Sequence, residues 1–334
     1  MKIPFSKIFF FLFGLAAFVY LVSRFGIDQI GANIARAGWS LLYIVGVWFV
    51  IYLLNTAAWR LVLGEAGKKI SFFQLFLVTV SGFVINYVTP VIALGGEPYK
   101  VRALSGVFGR EQSLSAVVLY RMVHLLGHMI LLLAGILLAL LFLSLPVALN
   151  LVFALTAVAI CGVIGLTLAG HRRGIFEHLH GWIGRRRIFS RLNPRLDAYR
   201  DDVRRMDELL TGVYRRERTK FMTAIALESL SRVCMGVEVY LILYGIGVPV
   251  SPVTALFLYV VYSLIINLLF FVPLNLGARE GGLALGLDSI ALPALLGVYL
   301  GVVMRIREFI WIILGLVFIF FTADRRRPSS AETA

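Results

Sequence analysis

Cysteine and acidic side chains are scarce in this chain. Two cysteines, Cys161 and Cys234, stand alone in apolar surroundings, which rules out a disulfide framework and gives no metal-ligand spacing. Charged residues make up 15% of 334 positions, and basic residues outnumber acidic ones 32 to 18. Walker loop, Gly-x-Ser-x-Gly elbow and His-Glu-x-x-His are all missing, so ATP-driven pumping and the common hydrolase chemistries have no support. No alternation of apolar and polar residues runs through the hydrophobic segments, which excludes a membrane barrel.

What is abundant is apolar sequence: 60% of residues are hydrophobic and the mean hydropathy is +0.90. Stretches 41–54, 131–143, 147–168 and 312–321 carry no charge. Runs of about 20 apolar residues cross a bilayer as helices. The fold class expected is an all-α polytopic membrane protein. Lys2 and Lys7 followed by an apolar run from Ile8 to Val22 resemble a signal peptide. No small-residue cleavage site precedes Arg24, so this segment reads as a retained anchor.

The net charge of +14 suggests nucleic acid at first sight, but the basic residues follow the positive-inside rule, and no nucleic-acid partner is expected. Fourteen of them lie between residues 171 and 220, and others cluster at residues 2–7, 60–69, 100–110 and 325–327. Both termini and the central loop are therefore expected on the cytoplasmic side of a bacterial-type inner membrane. That orientation fixes a parity. Full crossings fall at about 8–23, 40–63, 114–143, 147–170, 221–247 and 301–322. The segments at about 72–112 and 253–299 begin and end on one side, as re-entrant hairpins. The alternative is that both cross fully, giving eight or more spans. The expected division is 1–170 and 221–322 as repeat halves, 171–220 as a basic amphipathic surface loop, and 323–334 as a tail.

The two broken segments resemble one another. Phe83 to Pro98 contains Pro90, Gly95, Gly96 and Glu97; Ile266 to Gly281 contains Pro273, Gly277, Arg279 and Glu280. In each the glutamate follows the proline by seven positions, and Arg121 and Arg305 recur at nearly the same offset. A repeated, interrupted, charge-bearing hydrophobic segment points to a transporter site. Charge inside a membrane is costly, about 2.5–3.5 kcal/mol on insertion scales, and such residues face a cavity or each other.

The candidates are therefore Glu97, Lys100, Arg121, Glu228, Arg232, Arg279, Glu280, Arg305, Arg307 and Glu308. Two readings of Glu97 stand side by side: a helix cap favoured by the dipole, or a site residue beside amides of Gly95 and Gly96 open to an anion. Glu228 and Arg232 have the i,i+4 spacing of a helical ion pair, and Arg279–Glu280 reads either as an internal pair or as part of a site. Arg121 has no acidic neighbour in sequence, which makes it the best single candidate for gripping phosphate. His124 and His128, one and two turns beyond, read as a proton relay or as core histidines.

Thr89-Pro90 followed by Gly95-Gly96-Glu97-Pro98-Tyr99-Lys100 resembles the flippase-like transmembrane domain family, also described as the lysylphosphatidylglycerol synthase transmembrane region. Pro273 with Gly277-Ala278-Arg279-Glu280, and Arg305 or Arg307 with Trp311 and Gly315, are similar to its later motifs. Arg121 matches a family arginine, with Tyr120 where the family often carries glutamate. The resemblance implies a lipid translocase. With the chain ending at Ala334, it implies a stand-alone member without the aminoacyl-transferase domain. No cofactor is expected. Stand-alone relatives are associated with hopanoid or polyprenyl-lipid pathways.

The expected function is then a non-enzymatic flippase for a lipid with a phosphate-bearing headgroup. Arg121, Arg305 and Lys100 would hold the phosphate, and Glu97 and Glu280 would pair with them or exchange protons. Membrane lipids are the expected partners, with a homo-oligomer or a partner enzyme of a lipid pathway left open. A membrane-embedded lipid-modifying enzyme or scaffold, and a small-solute secondary transporter, remain as alternatives.

Overall fold

A computed structural model describes residues 38–88, 95–173, 217–270, 275 and 277–324. The expected anchor at 8–23, the central loop from 174 to 216 and the tail beyond 324 lie outside the described residues. So do Pro90 and Pro273.

Nine α-helices and no strand occur among the described residues. The first is α1, Ser40–Leu63, which continues into a turn of 3-10 helix over Gly64–Lys69. Two short helices follow, α2 (Phe72–Val88) and α3 (Gly96–Phe108), then two long ones, α4 (Arg110–Phe142) and α5 (Val147–Arg173). The second half holds α6 (Arg218–Gly245), α7 (Pro252–Leu268), α8 (Ala278–Asp288) and α9 (Leu295–Asp324).

Local chemistry sets several of these boundaries. At the start of α2, the Ser71 hydroxyl accepts from the Gln74 amide at 3.2 Å, while the Gln74 side chain accepts from the Ser71 amide at 3.4 Å, a reciprocal cap. Ser251 accepts from the Thr254 amide ahead of Pro252, which occupies the first turn of α7. Gly277 enters α8 at φ +76, a left-handed conformation that glycine adopts without steric cost.

Length divides the helices into two kinds. At 1.5 Å per residue, α2, α3, α7 and α8 reach only about 16–25 Å, against a hydrocarbon core of about 30 Å. Each short pair folds back on itself. Gly82 of α2 meets Gly96 of α3 so closely that a Cβ on Gly96 would strike the Gly82 carbonyl. On the other side, Gly282 lies against Tyr262 and Gly286 against Leu258, an antiparallel register between α8 and α7. The broken segments are thus helical hairpins. Three of the described helices, α1 with its 3-10 extension, α4 and α5, are long and apolar enough to cross a membrane by composition alone. Helices α6 and α9 are as long but carry Glu228, Arg232 and Glu238, or Arg305, Arg307 and Glu308. The chain is a multi-pass membrane protein.

The order long, short, short, long occurs twice, so α1 corresponds to α6, α2 to α7, α3 to α8 and α4 to α9. Their packing repeats as well. Within the halves, α1–α2, α2–α3 and α3–α4 contacts are matched by α6–α7, α7–α8 and α8–α9; between halves, α2 packs on α9 as α7 packs on α4. Corresponding helices α1 and α6 form the most extensive contact. They run antiparallel, since Trp48 bonds Glu238 while Asn55 bonds Glu228. Equivalent helices pointing in opposite directions make the repeat an inverted one. The remaining long helix, α5, packs mainly on α4, sets Phe153 against Phe257 of α7, and leaves Val147, Leu151, Leu155, Val158 and Leu166 exposed, a face suited to lipid.

Candidate functional site

Charged side chains gather into two centres, one at each hairpin. In the second, three carboxylates meet three guanidiniums. Glu280 sits in the first turn of α8, where one of its oxygens accepts the Gly277 amide at 3.0 Å. The other receives Arg305 of α9 through Nε at 2.8 Å and Nη2 at 2.7 Å. Arg305 also donates to the carbonyl of Asn275. Arg279 reaches Glu308 at 2.7 Å, and the Tyr87 hydroxyl donates to that same glutamate. Arg307 forms a fork on Glu238 of α6, with Nε at 2.8 Å and Nη2 at 2.7 Å, and lies 3.8 Å from the centroid of the Trp48 ring. The indole of Trp48 donates to Glu238 at 2.9 Å. All six charges are buried and balanced, which is the condition under which burial of ions is tolerable.

The first centre is built differently. Glu97 opens α3 and accepts from Asn86 at 3.3 Å and from Lys100 at 3.2 Å. Lys100 is buried, its ammonium 5.6 Å from the Trp59 ring and 5.4 Å from Tyr120, and its methylenes lie against Gly82. Arg121 of α4 approaches Glu97 only to 3.9 Å, and 52% of its side chain is exposed. One turn on, His124 bonds the fully buried Glu228 at 2.8 Å, and Asn55 of α1 donates to that carboxylate at 3.3 Å. Arg232 lies against both ring nitrogens of His124 and against the sulfur of Met235. Two carboxylates thus face three cations, Lys100, Arg121 and Arg232. Among the described residues no group of His, Cys, Asp and Glu gathers closely enough to hold a metal ion.

A family model described as the lysylphosphatidylglycerol synthase TM region matches residues 7–316. The chain belongs to that family. Searches of curated proteins and of solved structures returned no match.

For this member of the lysylphosphatidylglycerol synthase TM region family, the structure re-pairs several residues that the sequence had grouped otherwise. Arg279 and Glu280, adjacent in sequence, take different partners, Glu308 and Arg305, because neighbouring residues on a helix point about 100° apart. Glu228 and Arg232 are bridged through His124 instead of meeting directly, since the His124 side chain of α4 contacts both. Arg121 does have an acidic neighbour in space, Glu97 of α3. The Gly96 amide, read as open to an anion, is taken by the Asn86 side chain at 2.7 Å; the glycine is there for close approach of α2. Gly95 precedes the helix as its cap residue.

Sequence reasoning missed Glu238, Asn86, Tyr87, Trp48 and Asn55. Glu238 was legible as a second carboxylate in the apolar sequence of α6. The others carry no charge, and nothing in their local sequence marks them.

Proposed function

We propose that this protein translocates a lipid with a phosphate-bearing headgroup between membrane leaflets, without chemical change to the lipid, and that Arg121 is the group that takes the phosphate. Membership of the family supports a role in lipid metabolism or transport. The finer reading rests on one observation. Arg121–Glu97 and Arg305–Glu280 are equivalent pairs in an inverted repeat, yet one is loose and half exposed and the other is tight and buried. A loosely held guanidinium in a centre with surplus positive charge can exchange its carboxylate for a phosphate, whose geometry its fork matches. Glu97 and Lys100 then hold each other while Arg121 is away. The acyl tails stay in the bilayer along exposed apolar helix faces. The charge bias of the sequence favours a bacterial-type inner membrane with both termini cytoplasmic.

The test is leaflet exchange in proteoliposomes, with tail-labelled phosphatidylglycerol and a tail-labelled glycolipid lacking phosphate. The expected result is faster exchange of the phosphate-bearing lipid than in protein-free vesicles, with the glycolipid left behind. Exchange of neither lipid above the protein-free rate sinks the reading, and a chemically altered lipid product replaces it with the enzyme alternative.

A further inference from the structure

Beyond Arg121, the polar residues of α4 continue in one direction. His124 follows one turn on, with 27% of its side chain exposed. His128 follows at the next turn, partly exposed, about 10 Å from Arg121 along the axis. There it meets α7 of the opposite half: Tyr259 lies 3.3 Å from one ring nitrogen, and the side-chain nitrogen of Asn267 lies 3.2 Å from the other. Asn267 is exposed and stands one residue before the end of α7, at the second hairpin. Leu125 of α4 and Leu268 of α7, both exposed, neighbour this line on their own helices. The acidic member of the neighbourhood, Glu228, is fully buried beneath His124 and unavailable to a ligand. The accessible polar groups are therefore guanidinium, imidazole and amide.

Among the described residues, the corresponding face of the other half has no such exposed line. Around Arg305 and Glu308, α9 packs on α1 and α2 through Trp48, Tyr52, Phe83 and Trp311, an aromatic seal. A polar strip that stays partly exposed in one half and is sealed in its equivalent needs a reason, because polar side chains at an apolar surface are costly even when they bond one another.

We propose that Arg121, His124, His128 and Asn267 form a track along α4 that passes an anionic phosphate ester from the first hairpin to the second. This rests on the translocation reading and extends it: Arg121 receives the headgroup, and His128 with Asn267 hold it at the far end. The chemistry fits a phosphate monoester or diester, whether borne by a lipid or free in water.

Two measurements test it separately from the reading beneath it. The first places a cysteine at His128, and in a control at the lipid-facing Leu137, in the full chain with Cys161 and Cys234 replaced by serine. Reaction with a negatively charged thiol reagent is followed. The expected result is labelling at 128 at least ten-fold faster than at 137, slowed by soluble glycerol phosphate or by phosphatidylglycerol in the bilayer. Protection by the soluble ester alone identifies a free phosphate, and protection by the lipid alone identifies a headgroup. Equal labelling at 128 and 137, or protection by neither, overturns the track whatever the protein transports.

The second measurement compares phosphatidylglycerol exchange by the wild type, His128→Leu with Asn267→Leu, and His128→Gln, which keeps an N–H donor. The expected result is a loss of ten-fold or more in the leucine variant, with an unchanged thermal midpoint and recovery of the rate in His128→Gln. A wild type that exchanges lipid and a leucine variant that matches it overturn the track and leave the translocation reading standing. A wild type that exchanges nothing removes that reading, and the labelling result then decides the track alone.

Discussion

Arg305 holds one carboxylate oxygen of Glu280 with two nitrogens, at 2.8 and 2.7 Å, and both side chains are almost wholly buried. Removing one partner strands the other charge away from water. Arg305→Ala and Glu280→Ala are each expected to cost about 3–5 kcal/mol, read as a large fall in thermal midpoint in detergent. The double variant is expected to be less destabilised than the sum of the two. A midpoint unchanged in either single variant contradicts the pairing.

Its counterpart predicts the opposite for stability. Arg121 is half exposed and sits 3.9 Å from Glu97. Arg121→Ala is expected to change stability by about 0–1 kcal/mol, as exposed pairs do. A loss as large as that of Arg305→Ala shows that Arg121 is a structural ion.

Arg307 combines a fork on Glu238 with stacking on Trp48. Lysine keeps the charge but lacks both the planar fork and the stacking face. Arg307→Lys is therefore expected to lower the thermal midpoint nearly as far as Arg307→Ala. Full retention of stability in the lysine variant means that charge alone is required there.

Helices α4 and α6 approach across Gly127, where an added Cβ would lie 2.6 Å from the Cβ of Glu228. Gly127→Val is expected to cost about 1–3 kcal/mol by overpacking. It should also displace Glu228 from His124 and so lower lipid exchange. Wild-type stability and exchange in this variant would show that the contact is dispensable.

Much of this architecture is visible in the sequence, for identifiable reasons. Proline and glycine break the apolar runs near residues 90 and 273, and the glutamates at 97 and 280 repeat with them, so the hairpins and the internal repeat can be read directly. The offset between Arg121 and Arg305 likewise anticipates equivalent places in space, each on the glutamate of its own hairpin. Partner choice is a different matter. Arg279 beside Glu280 looks like a pair on paper, but helix geometry turns the two apart, and Arg279 finds Glu308. Tyr87 and Glu308 are 221 residues apart, and Arg307 and Glu238 are 69 apart. Such contacts depend on how α2, α6 and α9 pack, which no local pattern encodes. The difference in exposure between the two equivalent arginines is also a property of packing.

That difference is best tested through the function assigned to it. Leaflet exchange of tail-labelled phosphatidylglycerol should be measured in proteoliposomes carrying the wild type or Arg121→Ala at matched reconstitution. The expected result is a wild-type rate well above protein-free vesicles and a loss of ten-fold or more in Arg121→Ala, whose thermal midpoint stays within about a degree or two of the wild type. An exchange rate that survives the loss of Arg121 contradicts its role as the phosphate contact.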